Sequence, residues 1–315
     1  MTDSTLAFVF PGQGSQSVGM LSQLAEAHPI VRETFDEASA VLGYDLWGLA
    51  QNGPKEQLDQ TERTQPAMLS AGVAVWRCWQ AAGGAAPVVM AGHSLGEYSA
   101  LVCAGAIAFP DAVGLVATRA RLMQQAVPEG KGAMAAVLGL DEERIRAVCA
   151  EQAGEEVLEA VNFNAPGQVV IAGDRAAVER GVAAAKDAGA KRALLLPVSV
   201  PSHCALMQGA AGEFAAALRQ VTISAPVIEV LHNVTVAGAK DPDEIRDLLA
   251  RQLHNPVRWV ETIQAFAERG CTVAVEAGPG KVLAGLGKRI DKRIDTLPVF
   301  DEAGLSSALE ATTHA

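Results

Sequence analysis

A Gly-x-Ser-x-Gly sequence at Gly92–Gly96 is the first pattern in the chain that could carry out chemistry. A short apolar run, Val88–Met90, precedes it and a helical pattern follows it, which is the strand–turn–helix context of a nucleophile elbow. Such a turn is tight enough to require glycine at both ends, and it exposes the hydroxyl of Ser94 above the sheet. The pattern therefore predicts Ser94 as a nucleophile, with the backbone N–H of Leu95 directed at the group that it attacks.

A serine nucleophile needs a base, and three of the six histidines lie where a base could be found. His203 follows a long apolar run, which predicts a loop position between a strand and a helix. His232 and His254 lie nearer the C-terminus, where an ordinary Ser–Asp/Glu–His hydrolase has its histidine. The residues alone do not decide which of the three histidines is the base. His93 is a poor base for the adjacent Ser94 and is predicted to line the pocket instead.

One predicted helix, Asp111–Val127, carries an arginine within its apolar stripe. Arg119 falls at i+3/i+4 spacing among the apolar side chains, whereas Arg121 falls on the polar side. A guanidinium on an apolar face needs an anion or hydrogen-bond acceptors, because an unpaired buried charge is very costly. It could form a structural ion pair with an internal carboxylate, or it could bind the carboxylate of a substrate. The spacing favours neither.

Composition excludes several classes of function. The formal net charge is −11, which argues against nucleic acid as the main partner. No apolar run reaches the roughly 20 residues that cross a bilayer, and the N-terminus lacks the basic start of a signal peptide. The 5 cysteines include no CxxC pair, so neither a disulfide framework nor a zinc site is predicted. We expect a cytoplasmic, non-membrane protein without a bound metal.

The elements that would position these residues follow an α/β pattern. Strands are predicted at Leu6–Phe10, Val88–Met90, Val227–Leu231 and Cys271–Val275, with helices between them. Ser202 is predicted to cap a helix at Cys204–Arg219. The glycine-rich loop Pro11–Gln16 lacks the third glycine of a dinucleotide-binding fingerprint, and it is interpreted as backbone N–H groups gathered at a strand end.

The middle of the chain has a different element order. Strands and helices are predicted there in the order β-α-β-β-α-β, the ferredoxin-like split βαβ unit. The predicted elements are Gly132–Leu138, Asp141–Gln152, Val157–Val161, Gln168–Ala172, Arg175–Ala188 and Arg192–Val200. We therefore expect residues 129–200 to form a small subdomain, inserted into a larger catalytic core made of residues 1–128 and 201–315.

Six segments resemble the malonyl-CoA:acyl carrier protein transacylases of bacterial type II fatty acid synthesis. They are Phe10–Gln16, Gly92–Tyr98, Val161–Gln168, Val200–His203, Asn255–Trp259 and Glu276–Gly280. The resemblance runs in order from about residue 5 to about residue 290, and it is far more specific than Gly-x-Ser-x-Gly alone. It implies an α/β-hydrolase-like core with a parallel sheet and an inserted ferredoxin-like subdomain.

The resemblance also implies the catalytic roles. Ser94 would be the nucleophile, and His203 would be its base and later its acid. The family orients this histidine with a backbone carbonyl and not with a carboxylate, and that carbonyl maps onto Gln252. The oxyanion hole maps onto the backbone N–H groups of Gln13 and Leu95.

Three further residues match positions in the substrate pocket of the family. Arg119 matches the arginine that holds the malonyl carboxylate in a bidentate pair. His93 and Asn162 match other residues of the pocket.

The function implied is an acyltransferase that works by a ping-pong mechanism through a malonyl ester of Ser94. Malonyl-CoA would donate the acyl group and the phosphopantetheine thiol of acyl carrier protein would accept it, supplying extender units for fatty acid synthesis without a bound cofactor. We expect a monomer whose partners are the carrier and the coenzyme A thioester.

Three alternatives remain open from the sequence. A serine thioesterase or esterase could share the core and Ser94, but it would have no use for Arg119 or for the inserted unit. A non-catalytic scaffold that binds the carrier protein would not need Ser94 or His203. A trans-acting acyltransferase of a polyketide pathway would use the same residues and the same reaction.

A basic segment lies near the C-terminus of this acidic chain. By itself it is typical of a solvated helix face. Carrier proteins are generally acidic, however, so a local positive patch would provide electrostatic complementarity. We hypothesise that the carrier docks here, on Lys281, Lys288, Arg289 and Lys292.

Overall fold

A five-stranded parallel sheet forms the centre of the protein, whose computed structural model describes residues 5–198 and 200–312. Its strands are β1 (Leu6–Phe10), β2 (Val89–Gly92), β7 (Glu229–Leu231), β8 (Val273–Ala277) and β9 (Asp295–Val299). They are ordered β7-β2-β1-β8-β9, and every neighbouring pair is parallel. All five residues of β1 are buried, as expected of a central strand that is covered on both faces.

Helices cover both faces of this sheet, and β1 supplies side chains to the core on each side. Leu6, Phe8 and Phe10 belong to the larger core, while Ala7 and Val9 belong to the smaller one. The larger core is built with α1 (Ser22–Ala27), α2 (Pro29–Leu42), α3 (Leu46–Asn52), α4 (Lys55–Leu58), α5 (Thr61–Ala81), α6 (Gly96–Cys103), α7 (Phe109–Ala126), α10 (Gln208–Leu218), α11 (Pro242–Gln252) and α14 (Glu302–Thr312). The smaller core is built with α12 (Trp259–Glu268) and α13 (Val282–Ile290).

A separate antiparallel sheet is formed by the middle of the chain. Its strands are β3 (Gly132–Leu138), β4 (Leu158–Ala165), β5 (Gln168–Asp174) and β6 (Arg192–Leu195), in the order β4-β5-β3-β6. Two helices, α8 (Glu142–Ala153) and α9 (Arg175–Asp187), pack on one face around a core of their own. The predicted fold class, a parallel α/β core with a βαββαβ unit, is confirmed.

Several predicted boundaries were wrong. β6 ends at Leu195 and not at Val200, because its pairing with β3 stops there, and Leu196, Val198 and Val200 line a cavity. The helix predicted at Cys204–Arg219 begins as a short 3-10 turn and becomes α-helical only at Gln208, and Ser202 does not cap it. The physical reason is that His203 has a left-handed backbone with φ 67°, which turns the chain sharply before the helix starts.

The last strand and the last helix of the fold were missed. β9 contains Pro298, which lowers its strand signal, but an edge strand tolerates proline because one side of its backbone is unpaired. α14 follows β9 and returns to the larger core through Leu305 and Ala308. No helix in the described part of the chain combines the length and the apolarity that crossing a bilayer requires.

The turn between β2 and α6 predicts a sharp sensitivity to substitution. In Gly92→Ala the added Cβ would lie 1.8 Å from the carbonyl carbon of Gly96. We expect a loss of about 3 kcal/mol in the free energy of unfolding, or failure to fold, because backbone cannot move aside as a flexible side chain does. Urea unfolding measures the change.

The matched control is Gly114→Ala in α7, where the added Cβ would have no atom within 4 Å. There the same methyl group should stabilise the helix by about 0.5–1 kcal/mol. Equal effects of the two substitutions would contradict the prediction.

Candidate active site

The turn between β2 and α6 is held by close contacts between backbone atoms. A Cβ on Gly96 would lie 2.1 Å from the carbonyl oxygen of Phe10 at the end of β1, so the helix can start there only with glycine. Ser94 has φ 51°, a left-handed conformation that is strained for a residue with a side chain. Asn233, which follows β7, fixes the turn: its Nδ2 donates to the oxygen of Gly92 at 2.7 Å, and its Oδ1 accepts from the N–H of Ser94 at 2.8 Å.

His203 is the histidine that the structure brings to Ser94. Its Nε2 lies 2.7 Å from Ser94 Oγ, and its Nδ1 lies 2.8 Å from the backbone oxygen of Gln252. A carbonyl only accepts hydrogen bonds, so Nδ1 carries the proton and Nε2 presents its lone pair to the serine hydroxyl. The other two candidate bases lie elsewhere: His232 bonds to Glu97, and the N–H of His254 bonds to Arg251 in the turn after α11.

Burial keeps His203 in the form that a base requires. The residue is only 2% exposed. Desolvation by this burial, followed by the positive charge of Arg119, lowers the pKa of His203 to about 3, while its bond to the Gln252 carbonyl acts in the opposite direction. His203 is therefore neutral at physiological pH and can accept the proton of Ser94.

Two residues whose backbone N–H groups are unbonded within the described chain, Leu95 and Gln13, line the same cavity as Ser94. Leu95 precedes the first turn of α6, and Gln13 lies in the loop after β1. Gly12 allows this loop to approach the elbow, since a Cβ there would lie 2.5 Å from the oxygen of His93. Among residues 5–198 and 200–312, neither the N–H of Leu95 nor that of Gln13 is bonded to a protein acceptor. Both are available to a developing oxyanion.

Arg119 lies inside the protein, 1% exposed, and points at the nucleophile. Its Nη1 donates to Gln65 Oε1 at 2.9 Å, and its Nη2 donates to Gln252 Oε1 at 3.0 Å and lies 3.4 Å from Ser94 Oγ. The ring of Tyr98 lies 5.5 Å from the guanidinium carbon. No carboxylate of the described residues forms an ion pair with this arginine, and its Nε has no partner among them. The guanidinium thus keeps capacity for an anion.

His93 and Asn162 both line the cavity. His93 Nε2 bonds to Asn164 Oδ1 at 2.7 Å, and burial lowers the pKa of His93. Asn162 lies on β4, next to the segment before α12, where the N–H of Phe163 bonds to the oxygen of Val257 at 3.0 Å. The four-stranded sheet therefore supplies one wall of the site.

The cavity has a volume of about 190 Å³ and contains Ser94, His203 and Arg119. Its apolar lining comes from α7, β3, β5 and the segment after β6, through Met123, Met134, Val170, Leu196, Val198 and Val200. Within the two described stretches of chain, no three His, Cys, Asp or Glu side chains are grouped so that they could hold a metal ion. The arrangement can attack an acyl carbonyl with Ser94 and hold an anion next to it.

Sequence reasoning missed two polar residues that support the site, Glu97 and Asn233. Glu97 is 0% exposed, and it accepts hydrogen bonds from His232 Nδ1 at 2.7 Å and from the N–H of Asn233 at 2.9 Å. A signal was present, because the polar pair His232–Asn233 directly follows the apolar run that forms β7. Carboxyl ends of parallel strands are where α/β proteins place functional side chains.

The basic residues of the C-terminal segment lie on and around α13. Lys281, Lys288 and Lys292 are exposed. Arg289 bonds to the side chain of Gln168 and, at 3.2 Å, to the oxygen of Pro166. These contacts connect α13 to the β4–β5 turn.

Comparison with known proteins gives consistent results over nearly the full length. The acyl transferase domain family matches residues 7–303. The malonyl CoA-acyl carrier protein transacylase of Salmonella typhimurium is 58% identical over 96% of this chain and 98% of its own. The transacylase of the same name from Coxiella burnetii superposes with a TM-score of 0.97 at 51% identity, covering 99% of this chain and 98% of that one. A malonyl-transacylase solved in complex with a type II PKS acyl-carrier protein superposes with a TM-score of 0.96 at 56% identity, covering 97% and 99%.

The electrostatic coupling between Arg119 and His203 gives a testable expectation. Arg119→Met removes the positive charge that contributes to the low pKa of His203, so that pKa should rise while burial keeps it below its ordinary value. Titration of the histidine ring signals by NMR measures the shift. Arg121→Met is the control, since Arg121 bonds to Gln125 on the exposed side of the same helix. An unchanged or lower pKa of His203 in Arg119→Met would contradict the electrostatic explanation.

Proposed function

This chain belongs to the family of the malonyl CoA-acyl carrier protein transacylases, and we propose that it transfers malonyl from malonyl-CoA to the phosphopantetheine thiol of an acyl carrier protein. The observation that carries the proposal is the position of Arg119, a buried cation 3.4 Å from the hydroxyl of Ser94. The end of an acyl group that is distant from the ester bond to this serine would contact the guanidinium. An acyl group that ends in a carboxylate satisfies that charge, whereas an acetyl group leaves it without an anion.

In the first half-reaction Ser94 Oγ attacks the thioester carbonyl of malonyl-CoA. His203 Nε2, at 2.7 Å, takes the serine proton, and the Gln252 carbonyl stabilises the resulting imidazolium through Nδ1–H. The oxyanion of the tetrahedral intermediate accepts hydrogen bonds from the backbone N–H groups of Leu95 and Gln13. The intermediate collapses, the carbon–sulfur bond breaks, and His203 returns its proton to the departing coenzyme A thiolate.

In the second half-reaction the carrier's phosphopantetheine thiol attacks the malonyl ester of Ser94. His203 takes the thiol proton and then gives it to the oxygen of Ser94 as the ester bond breaks. The products are malonyl-carrier and free enzyme. The cycle is therefore ping-pong, and every proton is carried by one histidine.

The rival functions share parts of this site. A thioesterase or esterase would use Ser94 and His203 but would gain nothing from a buried arginine beside the ester. A binding scaffold without catalysis would not need the 2.7 Å contact between Ser94 and His203. Transfer for a polyketide pathway uses the same chemistry, and a similar chain has been solved with a type II PKS acyl-carrier protein, so this pathway is the second candidate.

We also propose the division into a core of residues 1–128 and 201–315 and an inserted subdomain of residues 129–200. It is supported by the hydrophobic core that the antiparallel sheet forms with its own two helices.

A cytoplasmic location is supported by the cysteines, which are all buried and free in the described chain.

The proposed role of Arg119 predicts a change of acyl selectivity in Arg119→Ala. Malonyl transfer should fall by about 100-fold or more, because the substrate carboxylate loses a charge-assisted bidentate partner. Acetyl transfer should rise, because the cavity no longer contains a cation that lacks an anion. Initial rates with malonyl-CoA and acetyl-CoA, and mass spectrometry of the acyl-enzyme, measure both. Malonyl transfer that survives intact would refute the role in carboxylate binding.

The carrier-docking hypothesis is supported by the exposure of Lys281, Lys288 and Lys292 and by the contact of Arg289 with the β4–β5 turn. It predicts that Lys281→Glu/Lys288→Glu slows transfer to the carrier about tenfold and leaves transfer to free pantetheine unchanged. Arg289 is kept, because its hydrogen bonds hold that turn.

The control is Lys186→Glu/Lys240→Glu, which makes the same change in net charge at two exposed lysines elsewhere. Equal loss with both acceptors, or no loss with either, would show that these lysines do not dock the carrier.

A further inference from the structure

Gln252 is the last residue of α11, and its backbone and its side chain do different things. The backbone oxygen accepts the hydrogen bond from His203 Nδ1 at 2.8 Å. The side chain is also completely buried, at 0% exposure, and it points into the space between the elbow and Arg119. Any residue could supply the carbonyl, so the carbonyl does not explain why an amide side chain is buried here.

Three polar partners surround the Gln252 amide. Its Oε1 accepts from Arg119 Nη2 at 3.0 Å. Its Nε2 donates to the backbone oxygen of Ser94 at 3.0 Å and to Glu97 Oε2 at 2.8 Å. A carboxylate and a carbonyl only accept hydrogen bonds, and a guanidinium only donates them. The amide therefore has a single satisfied orientation, since a flipped amide would point its N–H groups at Arg119.

The same amide separates two buried charges. Glu97 bonds to Gln252, to His232 and to the backbone of Asn233, but it does not pair with Arg119. A direct carboxylate–guanidinium pair would satisfy the arginine and leave it little capacity for a second carboxylate. With the amide between them, Glu97 fixes the acceptor that positions Arg119 and leaves the guanidinium open towards Ser94.

We propose that the Gln252 side chain, held by Glu97, is a positioning residue that determines selectivity for acyl groups with a terminal carboxylate. It holds Arg119 in place beside the acyl ester of Ser94 and prevents Glu97 from neutralising it. The inference rests on the proposed function, because it assigns the residue that makes Arg119 effective in that reaction.

The first test is Gln252→Met, which keeps the backbone carbonyl for His203 and nearly the same side-chain volume. kcat/KM for malonyl-CoA should fall about 30-fold, mainly through KM, because Arg119 loses a charge-assisted hydrogen bond and its fixed position. kcat/KM for acetyl-CoA should change less than kcat/KM for malonyl-CoA, since an acetyl group has no carboxylate for Arg119 to bind, so the malonyl/acetyl ratio should fall. A purely structural role would lower both values equally, and an unchanged ratio would overturn the proposal.

The second variant, Gln252→Glu, preserves the shape of the side chain and so guards against a failure to fold. The titratable or charged groups around position 252 are Glu97, Arg119 and His203, with His232 behind Glu97. While the introduced carboxyl is protonated, it would donate to Glu97 and accept from Arg119, as the amide does. As the pH rises and this carboxyl ionises, it would pair directly with Arg119, so the malonyl/acetyl ratio of kcat/KM should fall.

In the wild type that ratio should not depend on pH over the same range, because kcat/KM reports the pKa of His203 in the free enzyme, which is the same for both substrates. A ratio in Gln252→Glu that matches the wild type at every pH would overturn the proposal. The control is Arg251→Met, which changes the preceding residue of α11, an exposed side chain paired with Asp247. It should leave the ratio unchanged.

The outcomes separate this inference from the proposed function. If the wild type does not transfer malonyl to a carrier protein, the proposed function fails. If the wild type transfers malonyl and rejects acetyl, but both Gln252 variants keep that preference, only the role of the Gln252 side chain fails.

Discussion

The contact of the elbow backbone with the end of β1 is the constraint on which the site depends. Glycine at 96 lets the start of α6 touch the carbonyl of Phe10, and glycine at 92 lets the turn close on itself. Backbone atoms meet directly in both places, so the turn has almost no freedom to adjust. The position of the Ser94 hydroxyl is therefore fixed by the sheet, and His203, Arg119, Leu95 and Gln13 are arranged around it.

Both residues of the proposed catalytic pair have left-handed backbones, although neither is glycine. Ser94 has φ 51° and His203 has φ 67°. Such conformations cost of order 1 kcal/mol each and persist where the surroundings determine them. The N–H of Ser94 is held by Asn233, and the N–H of His203 is held by the oxygen of Leu253 at 2.9 Å. The fold thus uses hydrogen bonds from the segments that follow β7 and α11 to keep two strained residues 2.7 Å apart.

The sequence predicts well the structural features that repeat along the chain or depend on residues close to one another in sequence. Apolar runs located β1 and β3, and the flanked Gly-x-Ser-x-Gly located the elbow. Helical spacing placed Arg119 among apolar residues. The histidine that contacts Ser94 could not be chosen by such reasoning, because its Nδ1 bonds to the Gln252 carbonyl, and every residue has a carbonyl. Only the resemblance to a family supplied that assignment.

The residues that were missed act across long separations in the chain. Asn233 meets the elbow 139 residues away, and Glu97 meets Gln252 across 155 residues. No local periodicity marks such a contact. A polar pair after an apolar strand is a hint that something is bonded there, but only the packed sheet and helices show which partner it has.

The buried arginine also connects substrate binding to the chemistry. In the free protein its charge is stabilised by amide oxygens and by the face of Tyr98, and it contributes to lowering the pKa of His203. In the proposed acyl-enzyme, a malonyl carboxylate paired with Arg119 would cancel that charge within the cavity. The pKa of His203 would then rise from its low value, although burial, the larger cause of that value, remains. An acetyl group would provide no such compensation, so in the proposed reaction the contact that selects the acyl group would also make His203 a stronger base.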